Sequence, residues 1–310
     1  MIHRQAWCRS RRKFLAQSAA SIAAIPLTQV FGQQALGDNA LDLDRRLILA
    51  SHLFEDKSFF DVGHYFRDLI PRSRQVDLWI DYAGNRTSRH FDEIRKRGFA
   101  ATNAYCKQLG IRLSTATCYG SRGYAGYAEA IRDLGCTLCI QSSGKRTAGS
   151  ITEMMKRELE SYKPALELAE KYDCRIAIEN HSGRHLLNDM DSFKAFMDLC
   201  DHPRFGIAFA PFHTQGRRES PEEFLRQCVS KVFYIYAWQQ NPNGQTLAEK
   251  ASGESQMPGV GPYDFGPLLQ ILREHRSSAL ISPFMHRATS SARSAELVRS
   301  AVSCLRKPDP

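Results

Sequence analysis

The sequence predicts an α/β fold: a single (β/α)8 TIM barrel with eight parallel strands. Eight short β-branched or aromatic segments alternate with amphipathic segments between residues 46 and 306. Such alternation favours a parallel sheet with right-handed crossovers, and eight units in this length fit a closed barrel better than an open doubly wound sheet. No G-x-G-x-x-G or Walker pattern opens a predicted helix, which weakens the nucleotide-binding alternative.

The predicted strands are β-branched or aromatic runs, and the predicted helices repeat apolar residues at i, i+3 and i+4. Strands are predicted at Arg46–Leu53, Val76–Tyr82, Arg112–Tyr119, Thr137–Ser142, Arg175–Asn180, Gly206–Phe212, Lys231–Trp238 and Ala279–Phe284. The predicted helices include Ser88–Leu109, Tyr124–Leu134, Ile151–Tyr172, Asp191–Cys200, Pro221–Val229, Phe265–His275 and Ser290–Arg306.

The first 38 residues are predicted to be a twin-arginine signal peptide with its linker, and residues 39–310 the barrel. Ser10–Leu15 reads SRRKFL and precedes an apolar run from Ala16 to Leu27, as in export signals of this kind. We therefore expect a periplasmic or extracellular protein, cleaved between Ala24 and Asn39. The alternative interpretation of this segment is a basic amphipathic helix.

Composition argues against nucleic acid and membrane partners. The formal net charge is +9, but five of those charges lie in the first 35 residues, which contain no acid. The remainder is too small to indicate nucleic-acid binding, and no run of 18 apolar residues predicts a membrane span. The nine cysteines are odd in number, and the C-x-x-C pair Cys136 and Cys139 lies in a predicted strand, where the two side chains face opposite ways. We interpret the cysteines as small core residues.

Polar and aromatic residues gather at the carboxyl ends of the predicted strands, where barrels of this type place their active sites. Rings that stack on C–H faces, together with groups that bind hydroxyls, predict a small sugar or polyol as ligand. Glu179 is the first candidate for chemistry, because a carboxylate ending an apolar strand is costly to bury; the alternative is a strand-end salt bridge. In strand order, the collected residues are His52, Glu55, Asp81, Tyr82, Cys118, Tyr119, Gln141, Glu179, His181, His213, Tyr236, Trp238, Ser282 and His286.

Four motifs carry a resemblance to a known family: Ile176–Asn180 (IAIEN), Gly206–His213 (GIAFAPFH), Met257–Phe265 (MPGVGPYDF) and Leu280–Met285 (LISPFM). With these motifs the chain resembles the xylose isomerase-like barrel superfamily, which includes sugar epimerases of the tagatose/psicose 3-epimerase type and the endonuclease IV group. The alternating rhythm covers the whole mature chain, whereas the motifs cover its second half.

The resemblance implies one divalent metal (Mn²⁺, Mg²⁺, Co²⁺ or Zn²⁺) held by Glu, Asp, His and Glu from strands 5 to 8. The first of these is Glu179, but the other three positions hold Ala210, Tyr236 and Ser282, so tight binding by the family's ligands is not expected. The substrate-facing histidine of the family corresponds to His213. One alternative stays open, a Zn²⁺ site made by Glu179, His181, His213 and His286.

Two functions are carried forward. The first is a sugar or polyol isomerase/epimerase-like protein with an altered metal site, in which Glu179 is general base or residual ligand and His213 orients the substrate as an acid. The alternative is a non-catalytic or metal-independent carbohydrate-binding barrel. For His181 the other interpretation is a loop imidazole bonded to a backbone carbonyl, and for Tyr236 and Trp238 it is packing inside the barrel. An endonuclease IV-like function is disfavoured because its ligand cluster is absent. The expected substrate-binding residues are His181, Tyr236, Trp238, His52 and His286.

Overall fold

The computed structural model describes residues 42–240, 253–286 and 290–307. Eight parallel strands pair in sequence order, and a parallel bridge from Leu47 to Ile281 joins the first strand to the last. The predicted (β/α)8 barrel is confirmed. Its strands are β1 Ile48–Ala50, β2 Gln75–Asp81, β3 Arg112–Cys118, β4 Leu138–Ser142, β5 Arg175–Glu179, β6 Phe205–Phe209, β7 Val232–Ala237 and β8 Leu280–Pro283.

Helices alternate with the strands and pack apolar faces against the barrel. Several begin at a serine whose side chain accepts a backbone N–H bond; at Ser150 and Ser220 a glutamate three residues on completes a capping box. The helices are α1 Leu43–Arg46, α2 Phe59–Leu69, α3 Arg89–Arg97, α4 Phe99–Leu109, α5 Gly123–Asp133, α6 Ile151–Lys171, α7 Met190–Leu199, α8 Pro221–Cys228, α9 Gly266–Glu274 and α10 Ser291–Leu305.

Two predicted elements differ from the structure in their bounds, and one helix was not predicted. The helix predicted at Ser88–Leu109 is two helices, because Gly98 between them adopts φ +90°, which a residue with a side chain rarely does. Helix α2 was missed, since its aromatic residues and central Gly63 are weak helix formers. The first strand ends at Ala50, and the next four residues form a 3₁₀ turn that carries His52.

The barrel interior is filled by side chains that alternate along the strands. On β7, Tyr234 and Tyr236 both lie inside and are fully buried, and Thr117 of β3 and Asp77 of β2 face them. Parallel strands in a barrel place alternate residues inward in layers. One of these interior layers is therefore polar.

The cysteines of the described residues are free thiols, and Cys136 and Cys139 are buried without forming a disulfide. Their interpretation as small core residues is consistent with this placement. In the same part of the chain, no helix has the length and apolar character needed to cross a membrane. The export signal in residues 1–38 lies outside the described residues and stays a prediction.

Candidate functional site

Glu179 ends β5 at the mouth of the barrel and is only 6% exposed. Its Oε2 lies 2.5 Å from the hydroxyl of Tyr119, and its Oε1 lies 3.8 Å from Nε2 of His213. Burial raises the pKa of Glu179 to about 8, against the opposing effect of the Tyr119 hydrogen bond. The carboxyl group is therefore protonated at neutral pH and exchanges its proton close to physiological conditions, as acid–base groups in active sites do.

Three imidazoles form a row beside this carboxyl. The ring centroid of His181 lies 3.9 Å from that of His213 and 4.4 Å from that of His185. Burial and the neighbouring imidazoles hold the pKa of His213 well below its usual range, so the contact with Glu179 joins two neutral groups and is not an ion pair. Nδ1 of His213 is buried and has no hydrogen-bond partner among residues 42–240, 253–286 and 290–307.

His181 and His185 are anchored to the backbone. His181 Nδ1 lies 3.0 Å from the carbonyl of Ser182, which is the loop hydrogen bond weighed as its alternative role. His185 was not predicted; its Nδ1 donates to the Ser143 carbonyl at 3.0 Å, while its Nε2 accepts from Lys145 Nζ at 2.6 Å. The row thus presents neutral rings next to His213 and a cation at its outer end.

An aromatic wall lies next to His213. The ring of Trp238 stacks on Phe212 with centroids 3.8 Å apart and contacts His286 at 4.4 Å and Phe284 at 5.4 Å. Trp238 is 1% exposed. The structure therefore brings Trp238 and His286 into contact with the Glu179 neighbourhood through His213, whose ring lies 5.2 Å from the indole.

His52 occupies the other side of the mouth. Its ring stacks on Trp79 at 4.7 Å and lies 5.7 Å from Phe284. Its Nδ1 lies 3.1 Å from the hydroxyl of Tyr82, which itself donates to the carboxylate of Glu55. Burial lowers the pKa of His52 to about 4, so the ring is neutral near pH 7. His52 therefore contacts the aromatic wall, through Phe284, and does not contact Glu179.

Asp77 is the site residue that sequence reasoning missed. It lies in the middle of β2, is fully buried, and accepts hydrogen bonds from Thr117 Oγ1 at 2.9 Å and from the Tyr234 hydroxyl at 3.1 Å. Burial raises its pKa to about 7. The signal was present in the sequence, because Asp77 lies two residues before Trp79 and therefore on the same face of β2. The residues predicted from the sequence were those at strand ends, whereas Asp77 lies in mid-strand.

The residues at the family's ligand positions do not fit a divalent ion. Ala210 offers a methyl group and its backbone is bonded to the Asn180 amide, while Ser282 Oγ points to the Pro283 carbonyl at 3.4 Å. The Tyr236 hydroxyl lies 3.0 Å from that of Tyr119. Glu179 is the only carboxylate in this set, and hard cations need several oxygen ligands.

The substitute zinc set is not supported either. A metal ion lies close to the plane of each imidazole that binds it, whereas the rings of His181 and His213 are stacked at 31° to each other and do not converge. In the described part of the chain, no group of three histidine, cysteine, aspartate or glutamate side chains is arranged to hold a metal ion.

The model of one protein family, the xylose isomerase-like TIM barrel, matches residues 80–307. The chain belongs to this family. No curated protein matches the sequence. Among solved structures, it is similar to the IolI protein with a bound zinc atom (14% identity, TM-score 0.65, 83% of this chain and 96% of that one). It is also similar to 3-keto-D-glucoside 4-epimerase from E. coli (11%, 0.62, 84% and 99%) and to D-psicose 3-epimerase with D-fructose (13%, 0.60, 83% and 97%).

These TM-scores establish the shared fold; one of the similar structures holds a zinc atom and two are named as sugar epimerases. This chain has the barrel, with the carboxylate of Glu179 at the end of β5. Its activity therefore has to be argued from its own side chains.

Proposed function

We propose that this protein acts on a small carbohydrate as an enzyme of the isomerase or epimerase type, with Glu179 as the group that moves a proton. The observation that carries the proposal is the buried carboxyl of Glu179, placed between a phenol and an imidazole and with its pKa raised to about 8. Reactions that invert or relocate a sugar hydroxyl next to a carbonyl begin with removal of a proton from carbon. An ionised Glu179 is suited to accept that proton.

Two neighbours are suited to bind the reacting oxygens. Tyr119 hydrogen-bonds one oxygen of Glu179 and fixes the direction of the other, and His213 has a buried Nδ1 without a protein partner among the described residues. Nε2 of His213 faces Oε1 of Glu179 at 3.8 Å, so a substrate hydroxyl or carbonyl bound beside that carboxyl oxygen would also lie next to the imidazole. Such positioned, water-excluded contacts stabilise developing charge better than solvent does.

The substrate class follows from the wall. Phe212 is the partly exposed ring of this wall, whereas Trp238 and Phe284 are only 1% and 2% exposed. An aromatic ring beside polar atoms is the combination that binds the C–H face and the hydroxyls of a sugar. Two structural relatives with this fold are named as epimerases of a ketoglycoside and of a ketohexose. Both considerations support a keto sugar or keto glycoside as substrate.

A second function is favoured by one observation: Ala210, Tyr236 and Ser282 replace the family's other ligands, and all three are buried. A barrel that lost its metal and kept its pocket would bind a carbohydrate without transforming it. This non-catalytic carbohydrate-binding barrel has the same wall but needs no titrating group at Glu179.

Deuterium incorporation separates the two functions. The mature protein is incubated in D2O with ketoses, aldoses and keto glycosides, and the sugars are analysed by NMR for deuterium at carbon, while the melting temperature is followed with each sugar. The proposed enzyme exchanges a carbon-bound hydrogen of at least one sugar. A raised melting temperature without exchange would support the binding barrel. The absence of both exchange and a melting-temperature shift would reject both functions.

A further inference from the structure

A chain of three hydroxyls connects Glu179 to a second buried carboxyl. The Tyr119 hydroxyl lies 2.5 Å from Glu179 and 3.0 Å from the hydroxyl of Tyr236. The Tyr236 hydroxyl lies 3.4 Å from Thr117 Oγ1, which lies 2.9 and 3.0 Å from the two carboxyl oxygens of Asp77. All these groups except Tyr119 are more than nine-tenths buried. The contacts therefore run without a break through the barrel interior.

Each hydroxyl has one proton, so the chain has two complete arrangements. When Glu179 is protonated it donates to Tyr119, Tyr119 donates to Tyr236, and the donations continue to an ionised Asp77. When Glu179 is ionised every donation is reversed, and the proton resides on Asp77. Intermediate arrangements leave one oxygen pair without a hydrogen between them, which is costly in a buried site.

The strand periodicity builds this chain. Thr117 and Tyr119 are two residues apart at the end of β3, so both side chains face inward, and Tyr236 faces them from β7. Tyr236 occupies the position where the family's metal-binding histidine is expected. Tyr236, which stands in place of that histidine, is thus the residue that completes the hydroxyl chain.

We propose that Tyr119, Tyr236 and Thr117 form a proton relay, through which Asp77 and Glu179 share a single proton. Asp77 is then the second proton-holding carboxyl, and it acts through Glu179 without touching the substrate. The role of Asp77 in catalysis rests on the proposed function. Asp77 then holds the proton that Glu179 takes from a sugar and passes along the relay.

The transfer balances within the chain. The O–H bond of Glu179 breaks and its proton bonds to the Tyr119 oxygen. The proton of Tyr119 passes to Tyr236, and that of Tyr236 passes to Thr117. The proton of Thr117 then bonds to Asp77, so each of the three hydroxyl oxygens gives up one proton and receives one. One proton moves from Glu179 to Asp77, and no oxidant or reductant takes part.

The surroundings of Asp77 and Glu179 favour the state in which the two carboxyls together hold one proton, over the states with two protons or none. Burial raises the pKa of both carboxyls, to about 7 for Asp77 and about 8 for Glu179. The groups facing them are hydroxyls, the indole of Trp79 and the neutral ring of His213, and none of these carries a charge. Within residues 42–240, 253–286 and 290–307 no cation contacts either carboxyl to compensate a second negative charge, so the first ionisation opposes the second.

Carbon-13 NMR of labelled carboxyl groups tests the relay without a substrate. The Asp77 and Glu179 signals, assigned with Asp77→Asn and Glu179→Gln, are followed against pH in the wild-type protein. Two carboxyls that share a proton both report the same two titration steps. We expect those steps to be separated by about one pH unit or more, a tenfold difference in proton affinity.

Tyr236→Phe breaks the relay, and Tyr234→Phe is the matched control. Tyr234 lies two residues away on β7, is equally buried, and donates to Asp77 at 3.1 Å without belonging to the chain. Tyr236→Phe is expected to turn each signal into a separate one-step curve, whereas Tyr234→Phe keeps the shared steps. Thr117→Val breaks the relay independently if Tyr236→Phe does not fold.

Two results would overturn the proposal. One is a single independent step for each carboxyl in the wild-type protein. The other is shared steps that persist in Tyr236→Phe and Thr117→Val, since that would show coupling by charge through space. Absence of deuterium exchange in sugars would reject the proposed function and leave the NMR result standing on its own.

Discussion

Glu179→Gln is expected to slow deuterium incorporation into the substrate sugar by about 10²- to 10⁴-fold, the usual loss when a positioned acid–base group is removed. Glutamine keeps the length of the side chain and one oxygen that Tyr119 can donate to, so the contact with Tyr119 can be retained. Its amide is neither an acid nor a base near neutral pH. We therefore expect kcat to fall while the affinity for the sugar, measured by its melting-temperature shift, stays within about tenfold of the wild type.

Glu158→Gln is the matched control for this experiment. Glu158 lies on α6, burial raises its pKa, and it accepts a hydrogen bond from the backbone N–H of Gly144. It is thus a half-buried carboxyl with a raised pKa, and its hydrogen bond goes to Gly144 and not to Glu179. The control is expected to exchange at the wild-type rate. Equal exchange rates in Glu179→Gln and in the wild type would contradict the role of Glu179.

The free energy of unfolding is expected to fall as pH rises from 6.5 to 8. An unfolded chain has already ionised its glutamates in this range, whereas folded Glu179 keeps its proton up to its raised pKa of about 8. The folded state therefore binds more protons than the unfolded state, and raising the pH favours unfolding. Glu179 alone contributes about 2 kcal/mol of loss over this range, and Asp77 adds a smaller share up to its pKa of about 7.

The buried histidines affect the free energy of unfolding below pH 6.5. Burial lowers the pKa of His52 and of His90 to about 4, so the unfolded chain binds protons below pH 6.5 that the folded protein does not. Their contribution is complete above pH 6.5 and is lost as the pH falls towards 4. Below pH 6.5 this gain with rising pH opposes the loss from the two carboxyls, so the decline due to Glu179 and Asp77 is expected to be unopposed by these histidines only above pH 6.5.

Urea unfolding at half-unit steps from pH 6.5 to 8 measures this slope. Glu179→Gln removes the larger share of the decline, so its curve should be much flatter than that of the wild type and the difference between them should grow with pH. Glu158→Gln changes a residue that is not hydrogen-bonded to Glu179. This variant should keep the part of the decline that is due to Glu179. Parallel curves for the wild type and Glu179→Gln would show that Glu179 titrates normally.

The architecture could be predicted from the sequence, because the eight alternating units depend on strand periodicity, which is a local property. The cost of burying a carboxylate pointed to Glu179, which the structure places between Tyr119 and His213; its role in chemistry stays a prediction. His213 and Trp238 followed from their positions at strand ends.

Residues that act through distant partners could not be predicted in the same way. Asp77 is separated from Tyr234 by 157 positions in the chain, and its importance depends on hydroxyls from β3 and β7 that meet it only in the closed barrel. Tyr236 was expected to line the pocket, yet its hydroxyl belongs to the polar interior layer. Side-chain register across a barrel depends on strand stagger, which composition and periodicity do not specify.

The central claim is that Glu179 moves a proton in this barrel without the divalent metal of its family. The most direct test is deuterium incorporation into the substrate sugar by protein dialysed against a chelator, with metal content measured before and after and with Glu179→Ala alongside. We expect exchange to continue in the metal-stripped protein and to be lost in Glu179→Ala. Exchange that appears only when Mn²⁺, Mg²⁺, Co²⁺ or Zn²⁺ is returned, with one bound ion per chain that Glu179→Ala loses, would contradict it.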